Sequence, residues 1–407
     1  MRVILHADLN NFYASVEMKL NPSLEGKFVG VCGNAENRHG IILAKSENAK
    51  KLGAKTGMTI NEAKKLCPEL TLVEAKHAHY TAYSKLVKNI YREYTDKIES
   101  FGIDECWLDV TDSVKMFGSG EKIADILRER VKSELGLTIS VGVSFNKVFA
   151  KLGSDLKKPD GTTVISPDNY KEKVWRLPVE DLLFVGKSTA QKLKKINVKT
   201  IGDLANIDQK YLEKHFGKWG QTLSDYANGK DESPVLKDSE QAEIKSVGNS
   251  ITTYRDLTSD EDVLIMFTTL SESVSSRVIS HGLGSATTLS IFVRDAFLNS
   301  STRQGKLQKP SVLPEDFRDF AFELFKKHYD FSVGIRTIGL SVSGFESFAT
   351  QISLDGEFYE KKLKLNDATR GIKDKYGNSS LVKGIILKDK KLVREDEEGT
   401  SLDRFDL

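Results

Sequence analysis

Short apolar runs alternate with amphipathic stretches over the first part of the chain and predict a domain of mixed α and β structure. Apolar residues recur at strand spacing in some of these segments and at helix spacing in others. In chain order the pattern predicts a strand over Arg2–Ala7, a helix after Asn10, a strand pair around Asp104 and Glu105, a helix over Ile123–Leu135 and a strand over Thr138–Val143. This order is that of a β-α-β-β-α-β sheet.

A further helix, predicted over residues 77–94, carries an aromatic-rich stripe. The stripe residues are Tyr80, Tyr83, Val87, Ile90, Tyr91 and Tyr94. Because residues at this spacing share one helix face, we interpret the stripe as part of the core of the same domain.

A second β-α-β-β-α-β pattern occupies the later part of the chain. Its predicted strands are Ser246–Thr253, Ala286–Arg294, Ser300–Gln308 and Ile335–Phe345, and its predicted helices follow Ser259 and Pro314. A polar stretch without periodicity, residues 229–243, precedes it and predicts a linker. The charged stretches 388–394 and 395–398 predict a poorly specified tail beyond Ser347.

Two further segments lie between these patterns. Residues 40–53 predict a strand that turns into a helix ending at Gly53. Residues 171–230 are helical in pattern and contain 12 Lys or Arg against 7 acidic residues, a local excess of five. Such an excess favours a DNA-binding surface.

Composition adds limits rather than a function. A chain of 407 residues with 39% hydrophobic residues predicts several domains. The 60 basic and 58 acidic residues give a net charge of only +2, so composition alone does not indicate nucleic-acid binding. The widely spaced Cys32, Cys67 and Cys106 favour neither disulfides nor a zinc site. Because the chain lacks a signal-peptide pattern and a membrane-length apolar run, we expect a soluble, cytoplasmic protein with no membrane partner.

Three acidic residues mark the candidate chemistry. Asp8 follows the apolar run Val3-Ile4-Leu5, and Asp104 and Glu105 are adjacent within the predicted strand pair. Gathered carboxylates repel one another unless a cation neutralises them, and an acid at a strand end with a separate acid pair is typical of two Mg²⁺ ions held for phosphoryl transfer. Taken singly, Asp8 also fits a helix cap and the acid pair a turn.

Three ordered motifs resemble the Y-family DNA polymerases. They are His6-Ala7-Asp8-Leu9-Asn10-Asn11-Phe12-Tyr13-Ala14-Ser15-Val16-Glu17, Gly102-Ile103-Asp104-Glu105-Cys106-Trp107-Leu108-Asp109 and Ser140-Val141-Gly142-Val143-Ser144-Phe145-Asn146-Lys147. Within that family the chain is similar to the DinB-like, DNA polymerase IV branch, from residue 1 to about residue 345. The resemblance implies an α+β multidomain protein with a ferredoxin-like palm, small fingers, a helical thumb with a helix-hairpin-helix and a second β-α-β-β-α-β little finger.

The resemblance also implies domain boundaries. They are palm 1–21, fingers 22–74, palm 75–165, thumb 166–232, linker 233–243, little finger 244–347 and tail 348–407. The implied activity is DNA-templated addition of deoxynucleotides to a primer 3′ end, of the low-fidelity translesion type, by a monomer. Two alternatives stay open, namely a catalytically inactive polymerase-like DNA-repair scaffold and a nucleotidyl cyclase.

For the metal and nucleotide sites, the resemblance implies residue roles by position. Asp8, Asp104 and Glu105, with the Leu9 carbonyl, would hold two Mg²⁺ ions, whereas strand alternation gives Asp109 a structural role. Tyr13 lies at the position of the steric gate that excludes a 2′-hydroxyl, and a buried helix aromatic is the alternative.

The triphosphate contacts follow from the same alignment. The amides of Asn11, Phe12 and Tyr13 begin a helix and would point at the triphosphate. Lys158 aligns with a lysine that reaches the β- and γ-phosphates. Where relatives offer Thr, Tyr and Arg from the fingers, this chain has Ala44, Glu47 and Lys50, so Lys50 keeps a charge while Glu47 would repel phosphate unless a lysine pairs with it.

The lysine-rich region contains a helix-hairpin-helix pattern over residues 182–193. The resemblance implies that the backbone of Val185, Gly186, Lys187 and Ser188 binds DNA phosphates without reading sequence. Phe184 replaces the usual first glycine, so we expect a distorted hairpin or a closer DNA contact. A second, weaker hairpin pattern lies around Phe216-Gly217 and Trp219-Gly220.

The tail contains a candidate segment for docking on the sliding clamp. Gln351-Ile352-Ser353-Leu354-Asp355 resembles the Gln-Leu-x-Leu-Phe type of clamp peptide through Gln351, Ile352 and Leu354. A rival segment, Leu402–Leu407, offers Phe405 as an aromatic anchor but no Gln. An ordinary polar linker is the alternative interpretation of both.

Overall fold

A computed structural model describes residues 1–33, 40–238, 240, 243–346 and 356–393 of the chain. The chain divides into two compact units. The first contains Met1–Gly33 and Ile41–Gln241, and the second contains Ala242–Asp406. Both candidate clamp segments, Gln351–Leu354 and Leu402–Leu407, lie outside the described residues.

The first unit contains eight strands among its described residues. They are β1 (Ile4–Leu9), β2 (Val29–Cys32), β3 (Ile42–Lys45), β4 (Thr71–Glu74), β5 (Ile98–Ser100), β6 (Glu105–Asp109), β7 (Ile139–Ser144) and β8 (Thr162–Val164). One sheet has the order β5-β6-β1-β7-β8 and a smaller one the order β3-β2-β4. In the larger sheet, β1 lies between β6 and β7 and pairs antiparallel with both, which is the ferredoxin-like arrangement expected from the sequence.

Helices cover the sheets of this unit and form its third part. They are α1 (Phe12–Leu20), α2 (Glu47–Lys51), α3 (Ile60–Leu66), α4 (His77–Arg92), α5 (Val114–Phe117), α6 (Gly120–Leu135), α7 (Lys147–Leu156), α8 (Tyr170–Val174), α9 (Lys187–Lys195), α10 (Ile201–Asn206), α11 (Gln209–Phe216) and α12 (Lys218–Ala227). The last five helices share a separate apolar core that includes Leu193, Ile201, Leu212 and Leu223. This core is the helical thumb predicted from the sequence.

The aromatic stripe of α4 packs on the larger sheet as predicted. Tyr80, Val87, Ile90 and Tyr91 are buried in one cluster with residues of β1, β6 and β7. Strand β1 is buried along its whole length, because α4 and α6 pack on one face of the sheet and α7 packs on the other. Any polar residue in β1 is therefore withdrawn from solvent and needs partners within the protein.

Helix α7 lies unusually close to β7 at Gly142. A Cβ added to Gly142 would meet the carbonyl oxygen of Ala150 at 1.9 Å and the backbone nitrogen of Ser154 at 2.5 Å. Both atoms belong to the α7 backbone, so only glycine permits this approach. The contact sets the distance between α7 and the edge of the sheet where β1 ends.

The second unit repeats the element order of the first sheet with a different strand order. It contains β9 (Ser246–Leu257), α13 (Asp260–Ser280), β10 (Ser285–Asp295), β11 (Ser300–Ser311), α14 (Pro314–His328) and β12 (Ile335–Glu346). Its strands are ordered β11-β10-β12-β9, with antiparallel neighbours. All four strands and both helices predicted for this part of the chain are confirmed.

The described part of the tail is better ordered than predicted. Residues Gly356–Tyr376 form α15, and short 3₁₀ turns follow at Asn378–Ser380 and Gly384–Asp389. Ile386 and Leu392 are buried, and Lys373 pairs with Glu272 of α13 at 2.7 Å. The prediction of a poorly specified tail was wrong for these residues. The few apolar residues that anchor them lie among many charged residues and form no clear sequence pattern. Among the described helices, none combines the length and the apolarity that crossing a membrane requires.

The close approach at Gly142 leads to a stability prediction. We expect Gly142→Ala to lower the free energy of unfolding by about 3 kcal/mol or more, because the new methyl group meets backbone that cannot move without shifting α7. Thermal unfolding of the purified variant measures the loss. Gly186→Ala is the matched control, because nothing lies within 4 Å of its added Cβ. Equal melting temperatures for Gly142→Ala and wild type would contradict the argument.

Candidate functional site

The three predicted acids meet at one end of β1. The β1–β6 register places Asp8 opposite Glu105, and the backbone N–H of Leu9 donates to the carbonyl of Asp104 at 3.0 Å. Asp8 is 5% exposed because it ends a strand that is buried on both faces. Adjacent strands therefore bring together carboxylates that lie almost a hundred residues apart in sequence.

A histidine that the sequence analysis did not single out belongs to the same group. Ligand atoms of His6, Asp8 and Glu105 lie within 4.8 Å of one another, a spacing that could hold a metal ion. His6 lies two residues before Asp8 in β1, so strand alternation places both side chains on the same face of the sheet. That alternation was the available signal.

The His6 ring is oriented by Ser154 of α7. The Ser154 hydroxyl donates to the Lys151 carbonyl at 2.7 Å, so it accepts from His6 Nδ1 at 2.9 Å. Burial lowers the pKa of His6, which favours the neutral ring. Nε2 then offers a lone pair, and it lies 3.2 Å from Glu105 Oε2, also an acceptor. Two acceptors facing one another at this distance fit a shared cation.

Asp104 lies at the border of this group. Burial raises the pKa of Asp104, and the negative charges of Asp8 and Glu105 raise it further, to about 6. The carboxylate of Asp104 is therefore more costly to ionise than an exposed one. The carboxylate set is thus the kind that a divalent cation stabilises.

Two lysines of α7 and the loop after it neutralise the acids. Lys158 Nζ lies 2.7 Å from Asp8 Oδ2 and 2.8 Å from Asp155 Oδ1. Lys151 Nζ lies 3.1 Å from both Asp8 Oδ2 and Glu105 Oε2. Burial alone would lower the pKa of each lysine, but the facing carboxylates raise both above their ordinary value. Lys158 was predicted from the sequence, whereas Lys151 was not.

The loop that carries Lys158 is tied to β1 and to α6. The backbone N–H of Asp160 donates to the Asn10 side chain at 2.9 Å, and Arg128 Nη2 lies 2.8 Å from Asp160 Oδ1. Burial alone would raise the pKa of Asp160, but Lys132 and Arg128 hold it below its usual range. Lys158 is therefore held on an anchored loop beside Asp8.

The ring of Tyr13 is stacked at the start of α1. Its centroid lies 4.0 Å from that of Tyr80, with the planes 9° apart, and His77 meets it edge-on at 5.7 Å. Tyr80 donates its hydroxyl to the buried Glu17 at 2.7 Å. The Tyr13 ring is thus held by packing from α4. This geometry makes the ring a rigid wall beside the start of α1.

The fingers residues form a small charged group. Glu47 Oε2 accepts from the Asn11 side chain at 3.1 Å and lies 3.7 Å from Lys50 Nζ. Because Lys50 pairs with Glu47, the negative charge of Glu47 is balanced and does not repel a phosphate. Burial lowers the pKa of nearby Lys45, and the charge of Lys50 lowers it further. Lys45 is a second cation of this group that the sequence analysis missed.

The thumb hairpin precedes α9. Gly186 caps α9, and the Val185 N–H donates to the Leu182 carbonyl at 3.0 Å, so this amide is used inside the hairpin. Phe184 has φ +66°, a left-handed conformation that disfavours a bulky residue, and its ring is 52% exposed. It contacts Phe101 and Trp219 at 6.3 and 6.2 Å between centroids. Phe184 thus adopts a left-handed conformation that a glycine would adopt without strain.

Asp109 has the structural role expected of it. Its carboxylate accepts from the backbone N–H of Thr111 at 3.0 Å and from the Thr111 hydroxyl at 2.5 Å. These bonds hold the turn after β6, at the opposite end of the strand from Glu105.

Three sequence families match successive parts of the chain. The impB/mucB/samB family matches residues 7–155, and its C-terminal domain matches residues 244–355. The family described as the DNA polymerase-iota thumb domain matches residues 180–231. The first match contains all the acids of the site, and the third contains the thumb hairpin.

Relatives that are similar over nearly their whole length carry the name DNA polymerase IV. The one from Acetivibrio thermocellus is 49% identical over 397 residues, which cover 97% of this chain and 99% of the relative. The one from Clostridium kluyveri is 35% identical, with 96% and 99% covered. Among solved structures, a Y-family DNA polymerase chimera of Dbh and Dpo4 is 25% identical with a TM-score of 0.75, and the match covers 85% of this chain and 99% of that one.

Proposed function

This chain belongs to the DinB-like branch of the Y-family DNA polymerases, and we propose that it extends a primer 3′ end on a DNA template in translesion synthesis. The observation that carries the proposal is the meeting of Asp8, Asp104 and Glu105 at the end of β1, inside the family match. This carboxylate group supports an active polymerase over an inactive scaffold.

We propose that Asp8, Asp104 and Glu105, with the carbonyl of Leu9, hold two Mg²⁺ ions. Bound there, the ions would lower the pKa of the primer hydroxyl and balance the charge of the triphosphate. His6 Nε2 and Glu105 Oε2 face one another as two acceptors. This pair, together with the repulsion between Asp104 and the neighbouring carboxylates, supports a divalent cation at this place.

The nucleotide is proposed to lie between α1, the fingers and Lys158. The N–H groups at the start of a helix attract phosphate, which supports roles for Asn11, Phe12 and Tyr13. The Lys158 ammonium has three N–H donors. When a nucleotide binds, one of them would turn from Asp8 to a phosphate oxygen. Lys50 would add charge from α2. The ring of Tyr13, fixed by Tyr80, would stack under the sugar and exclude a 2′-hydroxyl.

The thumb is proposed to hold primer-template DNA by the backbone of Gly186, Lys187 and Ser188, with Val185 as packing support. Four lysines of α9 add positive charge, namely Lys187, Lys192, Lys194 and Lys195. Phe184 would contact the sugar-phosphate surface, because it is exposed beside these residues in a conformation that costs about 1 kcal/mol.

The remaining parts of the proposal concern organisation. We propose palm 1–21 and 75–165, fingers 22–74, thumb 166–232, linker 233–243, little finger 244–347 and tail 348–407. The protein would act as a cytoplasmic monomer. It would dock on the sliding clamp through Gln351, Ile352 and Leu354.

Primer extension tests the activity directly. Wild-type protein should add deoxynucleotides to an undamaged and to a lesion-bearing template in Mg²⁺ and stop when the metal is chelated. We expect Glu105→Ala to slow addition at least about a hundredfold while primer-template binding stays nearly unchanged, because the acid acts through metal. Quench-flow extension and fluorescence anisotropy give the two readouts. Extension by Glu105→Ala near the wild-type rate would refute the assignment.

Substitution at the sugar site tests the proposed gate. We expect Tyr13→Ala to lower discrimination against ribonucleotides by about a hundredfold, because removal of the ring opens space at the 2′ position. Tyr13→Phe is the control, since it keeps the ring stacked on Tyr80 and should keep the selectivity. The ratio of kcat/KM for deoxy- and ribonucleotides is the measurement. An unchanged ratio in Tyr13→Ala would make Tyr13 a core residue.

The thumb proposal predicts opposite effects on stability and binding. We expect Phe184→Gly to leave the melting temperature unchanged or higher, because strain is relieved, and to weaken primer-template binding about tenfold. Leu298→Gly is the matched control, because Leu298 is also exposed and has φ +70°. It should relieve similar strain and leave DNA affinity unchanged. A lower melting temperature with unchanged affinity for Phe184→Gly would show that Phe184 only packs the hairpin.

A further inference from the structure

We propose that Lys151 is an internal counter-ion that competes with metal for the catalytic carboxylates, and that Asp155 is the acid that retains it when metal binds. The inference rests on the proposed metal-dependent function. It assigns a role to two residues that neither the sequence motifs nor the proposed catalytic steps require.

The position of the Lys151 ammonium supports the competition. Nζ lies 3.1 Å from Asp8 Oδ2 and 3.1 Å from Glu105 Oε2, so it bridges carboxylates of two adjacent strands. The Lys151 side chain is only 15% exposed, and solvent screens its charge weakly. A divalent cation bound to the same two oxygens would face an ammonium at a distance where like charges repel strongly. Lys151 and the metal therefore cannot both keep these contacts.

Asp155 offers Lys151 another partner one helical turn away. Its Oδ2 lies 3.2 Å from Lys151 Nζ, while its Oδ1 lies 2.8 Å from Lys158 Nζ. Lys151 Nζ also lies 3.5 Å from Oδ1, so the two lysines share the Asp155 carboxylate. Because Asp155 is 46% exposed, the pair can turn toward solvent without movement of the α7 backbone. Rotation of the Lys151 side chain frees Glu105 Oε2 and leaves Asp8 Oδ2 with Lys158.

Because the backbone of α7 is fixed, this exchange of partners involves only side chains. Gly142 fixes α7 against β7 at Ala150 and Ser154, on either side of Lys151. The ammonium can therefore leave the acids only by a side-chain rotation, and it remains tied to Asp155. The counter-ion stays near the site after metal has bound.

A permanent structural ion pair is the competing explanation for the same contacts. In that case Lys151 would stabilise the acids in all states, and its removal would weaken metal binding by disordering Asp8 and Glu105. The two explanations predict opposite signs for the change in metal affinity.

Metal binding by the full chain, without DNA or nucleotide, distinguishes the explanations. Mn²⁺ is titrated into chelator-treated protein, and the free ion is measured by electron paramagnetic resonance. We expect Lys151→Met to bind Mn²⁺ about tenfold more tightly than wild type, because a competing charge is removed. Lys151→Arg, which keeps the charge, should bind close to wild type. Lys157→Met is the control for loss of an exposed neighbouring lysine and should change little.

Asp155 supplies the second half of the test. Asp155→Asn should weaken Mn²⁺ binding several-fold, because Lys151 loses its alternative partner and stays on Asp8 and Glu105. In the Lys151→Met background the same substitution should have a clearly smaller effect, which comes from Lys158, because Asp155 also pairs with that lysine. If Lys151→Met does not fold, as judged by circular dichroism, the Asp155→Asn comparison with wild type decides.

The outcomes separate this inference from the proposed function. Unchanged or weaker Mn²⁺ binding by folded Lys151→Met, or an Asp155→Asn effect of undiminished size without Lys151, overturns the counter-ion role while the metal site stands. Unchanged or tighter binding by Asp155→Asn in the wild-type background overturns it as well. Failure of wild-type protein to bind Mn²⁺ would overturn the metal-dependent function together with the counter-ion role.

Discussion

The structure of the first unit depends on neutralising the carboxylates at the buried end of β1. Asp8 is withdrawn from water because its strand is covered on both faces, and the pairing with β6 adds Glu105 beside it. A buried carboxylate without a positive partner is strongly destabilising. The partners come from α7 and the loop after it, and α7 reaches them only because Gly142 has no side chain. Packing and electrostatics are therefore one constraint at this site.

Much of the fold follows from the sequence pattern, because local periodicity specifies local structure. All the strands and helices predicted for the second unit are present, and the aromatic stripe of α4 is buried as expected. Periodicity does not specify which strands are neighbours. The two units share the element order β-α-β-β-α-β, yet β1 lies between β6 and β7 while β9 is at an edge. Such differences depend on contacts between distant residues, which no short motif records.

The site could be predicted only as far as its residues carried recognisable motifs. Asp8, Asp104 and Glu105 were found because acids at strand ends are unusual. His6 and Lys151 resemble an ordinary strand residue and an ordinary helix lysine, and only the strand register and the helix approach bring them to the acids. The missing glycine at Phe184 is visible in the sequence, but the left-handed backbone, the exposure and the contact with Phe101 depend on the three-dimensional structure. The assigned roles of these residues remain predictions.

The docked C-terminal segment shows that the region needed for a stable chain extends beyond the region that carries the chemistry. The family matches end at residue 355, yet Ile386 and Leu392 beyond them are buried, and Lys383 bonds to Glu315 of α14. A fragment cut at the edge of the matched region would expose apolar surface of α13 and leave Glu272 without Lys373 and Glu315 without Lys383. Such a fragment would be prone to aggregate although every residue of the catalytic site were intact. The shortest soluble form of this polymerase is therefore longer than its shortest recognisable form.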